Sequence, residues 1–162
     1  MRLPSCHHSQ VAEYLHRKHN VMKKSYLTEG PVTHKIVTSV LDEMAEKKDA
    51  GGHTFFLGQV RADITAGKTV KAIEYSAYEG MVKAEGDLII KSVLEEFGDV
   101  RSVDIIHSTG LVKAGEISLL VAVSAGHRKQ AIEACSKTVE LIKEKLPVWK
   151  KEVYEDDSHT WK

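Results

Sequence analysis

The stretch "VRSVDIIHSTGLVKAGEISLLVAVSAG", residues 100–126, decides how the rest of the chain must be arranged. Its two halves, "VRSVDIIHSTG" and "EISLLVAVSAG", are rich in β-branched residues and end in small ones, so each reads as a strand. The intervening "LVKAGE" reads as the turn between them. The second half is apolar at nearly every position and reads as a buried strand.

Working outward, "HRKQAIEACSKTVELIKEK" follows directly and reads as a helix with Ile132, Cys135, Val139 and Ile142 on its buried stripe, stopped by Pro147. A last strand, "VWKKEVYE", comes next. Upstream, Met81, Val82, Leu88, Ile89, Val93, Leu94 and Phe97 mark a long amphipathic helix that Gly98 can end through a left-handed cap. Before it, "HTFFLGQVR" and "TVKAIEYSAY" read as two strands around the polar loop "ADITAGK", a hairpin with a long tip. Before these, "SYLTEGPV" is a short strand, and Thr33 can cap a helix carrying Ile36, Val37, Val40, Leu41 and Met44. The succession of strand, helix, two strands, helix, two strands, helix and strand predicts an α+β fold with a mainly antiparallel sheet.

At 162 residues the chain suits one domain with a core that needs neither disulfides nor metal. Residues 22–162 are expected to form it. Met22 looks like a natural start, so residues 1–21 are expected to be a poorly ordered extension. Cys6, His7, His8, His16 and His19 in that extension match no closed zinc spacing. Lys plus Arg and Asp plus Glu stand at 23 each, which gives no global field for nucleic acid or an anionic membrane. Cys6 and Cys135 form no disulfide framework, no apolar run reaches spanning length and there is no signal peptide, so a reducing cytoplasm is the expected setting.

Positive charge is instead concentrated locally. "SAGHRK" places His127, Arg128 and Lys129 at a helix start, where the macrodipole is already positive. An anion bound there would relieve the conflict, although the side chains could equally splay into water. Arg61, at the end of a strand, could add a second anion contact. In "LIKEKLPVWKKE", Lys143 lies on the last helical turn and Lys150 beyond Pro147, so a turn at the proline can bring them together for acid–base work. No dinucleotide loop, P-loop, G-x-S-x-G or H-E-x-x-H is present.

Together, "FFLGQVR", "EYSAYEGMVKAEGDLI", "IIHSTGLVKAGEISLLVAVSAGHRKQAIEA" and "KEKLPVWKKE" resemble the large, catalytic subunit family of molybdopterin synthase, from about Leu27 to Trp161. The resemblance implies an α/β hammerhead-type fold and an enzyme that moves sulfur from the thiocarboxylate of a small ubiquitin-like carrier ending in Gly-Gly onto cyclic pyranopterin monophosphate. It also implies a homodimer with a carrier at each outer end, and no cofactor or metal. By position, Lys143 and Lys150 match the family's catalytic lysines, and Arg61, His127 and Arg128 its substrate pocket. Gln59 stands where a basic residue is common, and the chain stops at "HTWK", short of a basic tail residue that members can lend to a partner's pocket. The competing expectation is a non-catalytic module that binds an anion or a protein tail.

Overall fold

The computed structural model describes residues 25–162, so the expected extension, Cys6 and the N-terminal histidines lie outside the described residues. The elements run β1 (Leu27–Glu29), α1 (His34–Ala45), β2 (Gly52–Gln59), β3 (Ile64–Thr65), β4 (Lys68–Ala77), α2 (Glu79–Glu96), β5 (Val100–Lys113), β6 (Ile117–Ala125), α3 (Arg128–Lys145), β7 (Val148–Tyr154) and β8 (His159–Trp161). The strands join in the order β2-β6-β5-β4-β7-β8, with β1 added beside β5 and β3 beside β4. Every pairing is antiparallel except β1 with β5, in keeping with the expected α+β class.

β5 and β6 are buried along almost their whole length because both faces are covered. Val103, Ile105, Leu119, Val121 and Val123 pack with α2 and α3 through Ile89, Val93, Ala134 and Ile142. Ile106, Leu120 and Ala122 point the other way, against Val40 and Met44 of α1. The alternation of side chains along a strand supplies both cores from the same two strands.

Several local expectations hold for visible reasons. Thr33 caps α1, its Oγ1 accepting from the Ile36 N–H at 3.4 Å, and Pro147 follows the last helix directly. Others need correction. Residues 111–113 of the expected "LVKAGE" turn remain in β5, because β5 outruns β6 and uses this end to pair with β4. The turn is shorter, and Gly115 makes it with φ +91°. Gly98 supplies no left-handed cap: α2 ends at Phe97, whose N–H returns to the Val93 carbonyl, and Gly98 has no positive φ. Ile132 is 57% exposed, since α3 lies on the sheet through the small residues Ala131, Ala134 and Cys135. Leu41, Met81 and Leu88 also stay exposed. The expected long hairpin of β2 with β4 does not form, because β2 pairs with β6 and β4 with β5 and β7; the polar loop instead holds the short strand β3, which turns back onto β4 through Ala66 and Gly67, both at positive φ as a tight hairpin turn requires.

The junction of β2, β5 and α3 is the tightest part of this frame. A Cβ at Gly51 would lie 2.3 Å from the Gly126 carbonyl oxygen, and one at Gly126 would lie 2.5 Å from the Asp99 carboxylate. Backbone against backbone cannot yield as a flexible side chain can. Gly51→Ala should therefore lower unfolding stability by about 1–3 kcal/mol, read as a lower urea midpoint with an unchanged m value.

Candidate functional site

The position of α3 on the sheet determines which of the basic residues can act together. At its start, the Arg128 Cα lies 3.2 Å from where a Gly52 Cβ would stand, so helix and strand touch there. Seven residues on, Cys135 lies against Val121, the residue paired with Phe56 of β2. The helix therefore advances along β2, about 1.5 Å per residue against about 3.3 Å for the strand. The same rates bring Lys143 level with the end of β2, where the chain leaves toward Arg61. Lys143 and Arg128 are separated by roughly 22 Å along the helix axis, too far for both side chains to grip one phosphate.

Lys150 connects to the same end of β2 through β4. It is the residue of β7 opposite Tyr75 on β4. The Tyr75 hydroxyl donates to Ser118 Oγ at 3.2 Å, and Ser118 Oγ donates to the Gly58 carbonyl at 3.4 Å. The Gly58–Arg61 end of β2 thus lies level with Lys143 and is linked by hydrogen bonds to the strand that faces Lys150, whereas His127 and Arg128 stand at its Gly52 end. On this alignment the five expected residues fall into two groups within one chain.

Each group is electrostatically prepared. Arg61 is exposed and pairs with Asp63 at 2.9 Å, and Lys143 lies 3.6 Å from Glu140. Lys150 is exposed and makes no ion pair among the described residues. Exposed pairs of this kind contribute at most about 1 kcal/mol and exchange readily for a bound anion. At the other end the anion expected to relieve the basic helix start is partly supplied by the chain itself. The Asp99 carboxylate accepts from the His127 N–H at 2.7 Å and lies 2.9 Å from its Nδ1. That side-chain bond to His127, more than any other influence, holds the Asp99 carboxyl below the usual carboxylate range. Arg128 has no such internal partner among the described residues.

Sequence reading did not single out Asp99, Tyr75 or Ser118. Asp99 becomes a cap only because β5 starts beside the end of β6, a contact between residues 28 apart. A cavity of about 500 Å³ lies beside β4, lined by Leu27, Glu29, Tyr75, Glu79 and Thr109. Its two carboxylates make it a poor anion site, and it includes none of the five basic residues. Among the described residues no group of three or more His, Cys, Asp or Glu side chains is arranged to hold a metal ion. Burial pushes the Cys135 thiol up to about 11, far from the thiolate that sulfur relay chemistry requires.

The family model described as MoaE protein matches residues 32–145. A protein of Dictyostelium discoideum named molybdopterin synthase catalytic subunit is 40% identical over 115 residues, spanning 70% of this chain and 72% of that one. One of the same name from Bacillus subtilis is 38% identical over 136 residues, spanning 83% and 82%. The crystal structure of molybdopterin synthase from Staphylococcus aureus superposes with a TM-score of 0.75 at 29% identity, covering 87% of this chain and 98% of that one.

The Asp99 cap makes a prediction of its own. Asp99→Ala should destabilise the protein by about 1 kcal/mol at neutral pH, as loss of a helix cap does. Because the folded-state pKa is depressed, this stabilisation is present above the ordinary value of 3.8 and is lost as pH falls through the lower folded value. The gap between wild type and variant should therefore narrow below about pH 4 in urea titrations.

Proposed function

Because this chain belongs to the MoaE family, the catalytic subunits of molybdopterin synthase, we propose that it transfers sulfur from the C-terminal thiocarboxylate of a small ubiquitin-like carrier to cyclic pyranopterin monophosphate, forming the dithiolene of molybdopterin. The relatives' description as a catalytic subunit implies a second subunit, and that subunit is the carrier. Its Gly-Gly tail can enter a narrow passage because glycine carries no side chain. The reaction takes place in the cytoplasm, a reducing setting in which the free buried thiol of Cys135 stays reduced.

Lys143 and Lys150 are the catalytic residues. Their ammonium groups hold the thiocarboxylate and stabilise the oxyanions that develop as its sulfur bonds to substrate carbon. Arg61, His127 and Arg128 bind the phosphate and pterin. The observation that supports this reading is the alignment of α3 with β2, on which Lys143 falls level with the strand end that leads to Arg61 and far from Arg128. That separation supports a pocket assembled across a homodimer, in which Arg61, Lys143 and Lys150 of one protomer face His127 and Arg128 of the other.

Two variants test the reading together. Lys143→Ala should reduce product formation by about 100-fold or more while unfolding at nearly the wild-type temperature, because an exposed lysine contributes little to the fold. Arg128→Ala should weaken substrate binding but leave carrier affinity unchanged. At a substrate concentration where each variant dimer is impaired, mixing the two and allowing subunits to exchange should restore up to about a quarter of wild-type activity, since mixed dimers keep one intact pocket. Inactive mixtures, with exchange shown by native mass spectrometry, would count against the shared pocket. Lys143→Ala turning over at the wild-type rate would remove Lys143 from the catalytic pair, and no turnover by the wild-type protein with charged carrier would instead favour the non-catalytic module.

A further inference from the structure

Tyr75 sits on β4 at the one position that faces Lys150 across the β4–β7 ladder, and its side chain reaches across β5 to β6. Its ring meets His107 of β5 edge-on at 5.1 Å between centroids, and its hydroxyl donates to Ser118. Ser118 occupies a special place. Gly58 pairs with Leu119 and Gln59 pairs with Ile117, so Ser118 is the extra residue of a β-bulge. It is buried, and its Oγ donates to the carbonyl of Gly58, the residue across the bulge.

A bulge bends the strand that carries it, here β6, and increases the local twist of the pair, so it sets the course of the partner strand beside it. On the partner strand β2 and its exit, the residues that pass this bulge are Gln59, Val60 and Arg61. Val60 is fixed through its backbone, its N–H donating to the Glu116 carbonyl and its own carbonyl accepting from Gly115. The bulge itself is secured by side chains, through the Tyr75–Ser118–Gly58 chain of hydrogen bonds.

We propose that Tyr75 is a positioning residue for substrate binding: its hydroxyl clamps the Ser118 bulge and so sets the direction in which Arg61 leaves β2, relative to the strand that carries Lys150. The inference rests on the reading of Arg61 as a substrate-binding residue. Burial raises the Tyr75 phenol above its ordinary range, which keeps it a neutral donor at any working pH. His107 is held neutral by burial and engages the Ser108 carbonyl through Nδ1, so it supports the ring without competing for the hydroxyl.

Tyr75→Phe keeps the ring and its contact with His107 and removes only the donor. In the complete dimer with carrier, it should raise KM for cyclic pyranopterin monophosphate by about two- to tenfold, the range a single hydrogen bond controls. The kcat, the carrier affinity and the melting temperature should stay near wild type. Ser118→Ala should reproduce the shift, and Tyr75→Phe added to Arg61→Ala should raise KM no further, because residues acting in series are non-additive. An unchanged KM in Tyr75→Phe, a full additional loss in the double variant, or a parallel fall in kcat, carrier affinity and melting temperature would each overturn the proposal. Arg61→Ala at wild-type KM would remove both the reading of Arg61 and this inference. An impaired Arg61→Ala beside an unimpaired Tyr75→Phe removes the inference alone.

Discussion

The hydrogen-bonded pair of β5 and β6, buried on both faces, is the constraint on which the other elements depend. Two strands that meet water on neither side must be covered above and below, and the chain does so with α1 on one face and α2 and α3 on the other. β2 can then add only at the free edge of β6, and β1 and β4 only beside β5. The short path from β6 into α3 forces the helix to begin against Gly52 and run back along β2. The glycines at 51, 52 and 126 allow that close approach.

The distribution of charge follows from this arrangement. Lys143 lies level with the end of β2 that leads to Arg61, and Lys150 lies on a strand tied to that end through Tyr75 and Ser118, whereas His127 and Arg128 lie at the other end of the same strand and helix. Lys143 and Arg128 are held apart in the single chain, and the exposed Arg61 and Lys143 are neutralised by the weak neighbours Asp63 and Glu140. A substrate carrying a phosphate, and a carrier tail ending in an anion, can displace such neighbours at small cost. Asp99 is a different case: it is held to His127 by two contacts and is part of the frame that presents the helix start.

Much of this was legible in the sequence because it depends on local pattern. The mostly apolar run of residues 117–125 announced a buried strand, Thr33 announced a cap, and Pro147 the end of the last helix. The ordered motifs from "FFLGQVR" to "KLPVWKKE" announced the family. What was illegible depends on register between distant strands. Nothing near residues 111–113 says that β4 will extend β5 past the expected turn. Nothing near Ile132 says that two alanines will rotate the helix until the isoleucine faces out. The bulge at Ser118 and its tie to Tyr75 join residues 43 apart, and no periodicity encodes them. The division of the five basic residues into two groups was hidden for the same reason, since it is a statement about the direction of α3 relative to β2.

The central claim is that the carrier's thiocarboxylate is the sulfur source and that this chain makes the transfer. Single-turnover reaction of the wild-type protein with pre-charged carrier and cyclic pyranopterin monophosphate, followed by mass spectrometry of both carrier and pterin, tests it most directly. The account predicts one dithiolene product for every two thiocarboxylates converted to carboxylates. Tight carrier binding with the thiocarboxylate intact and the pterin unchanged would contradict it.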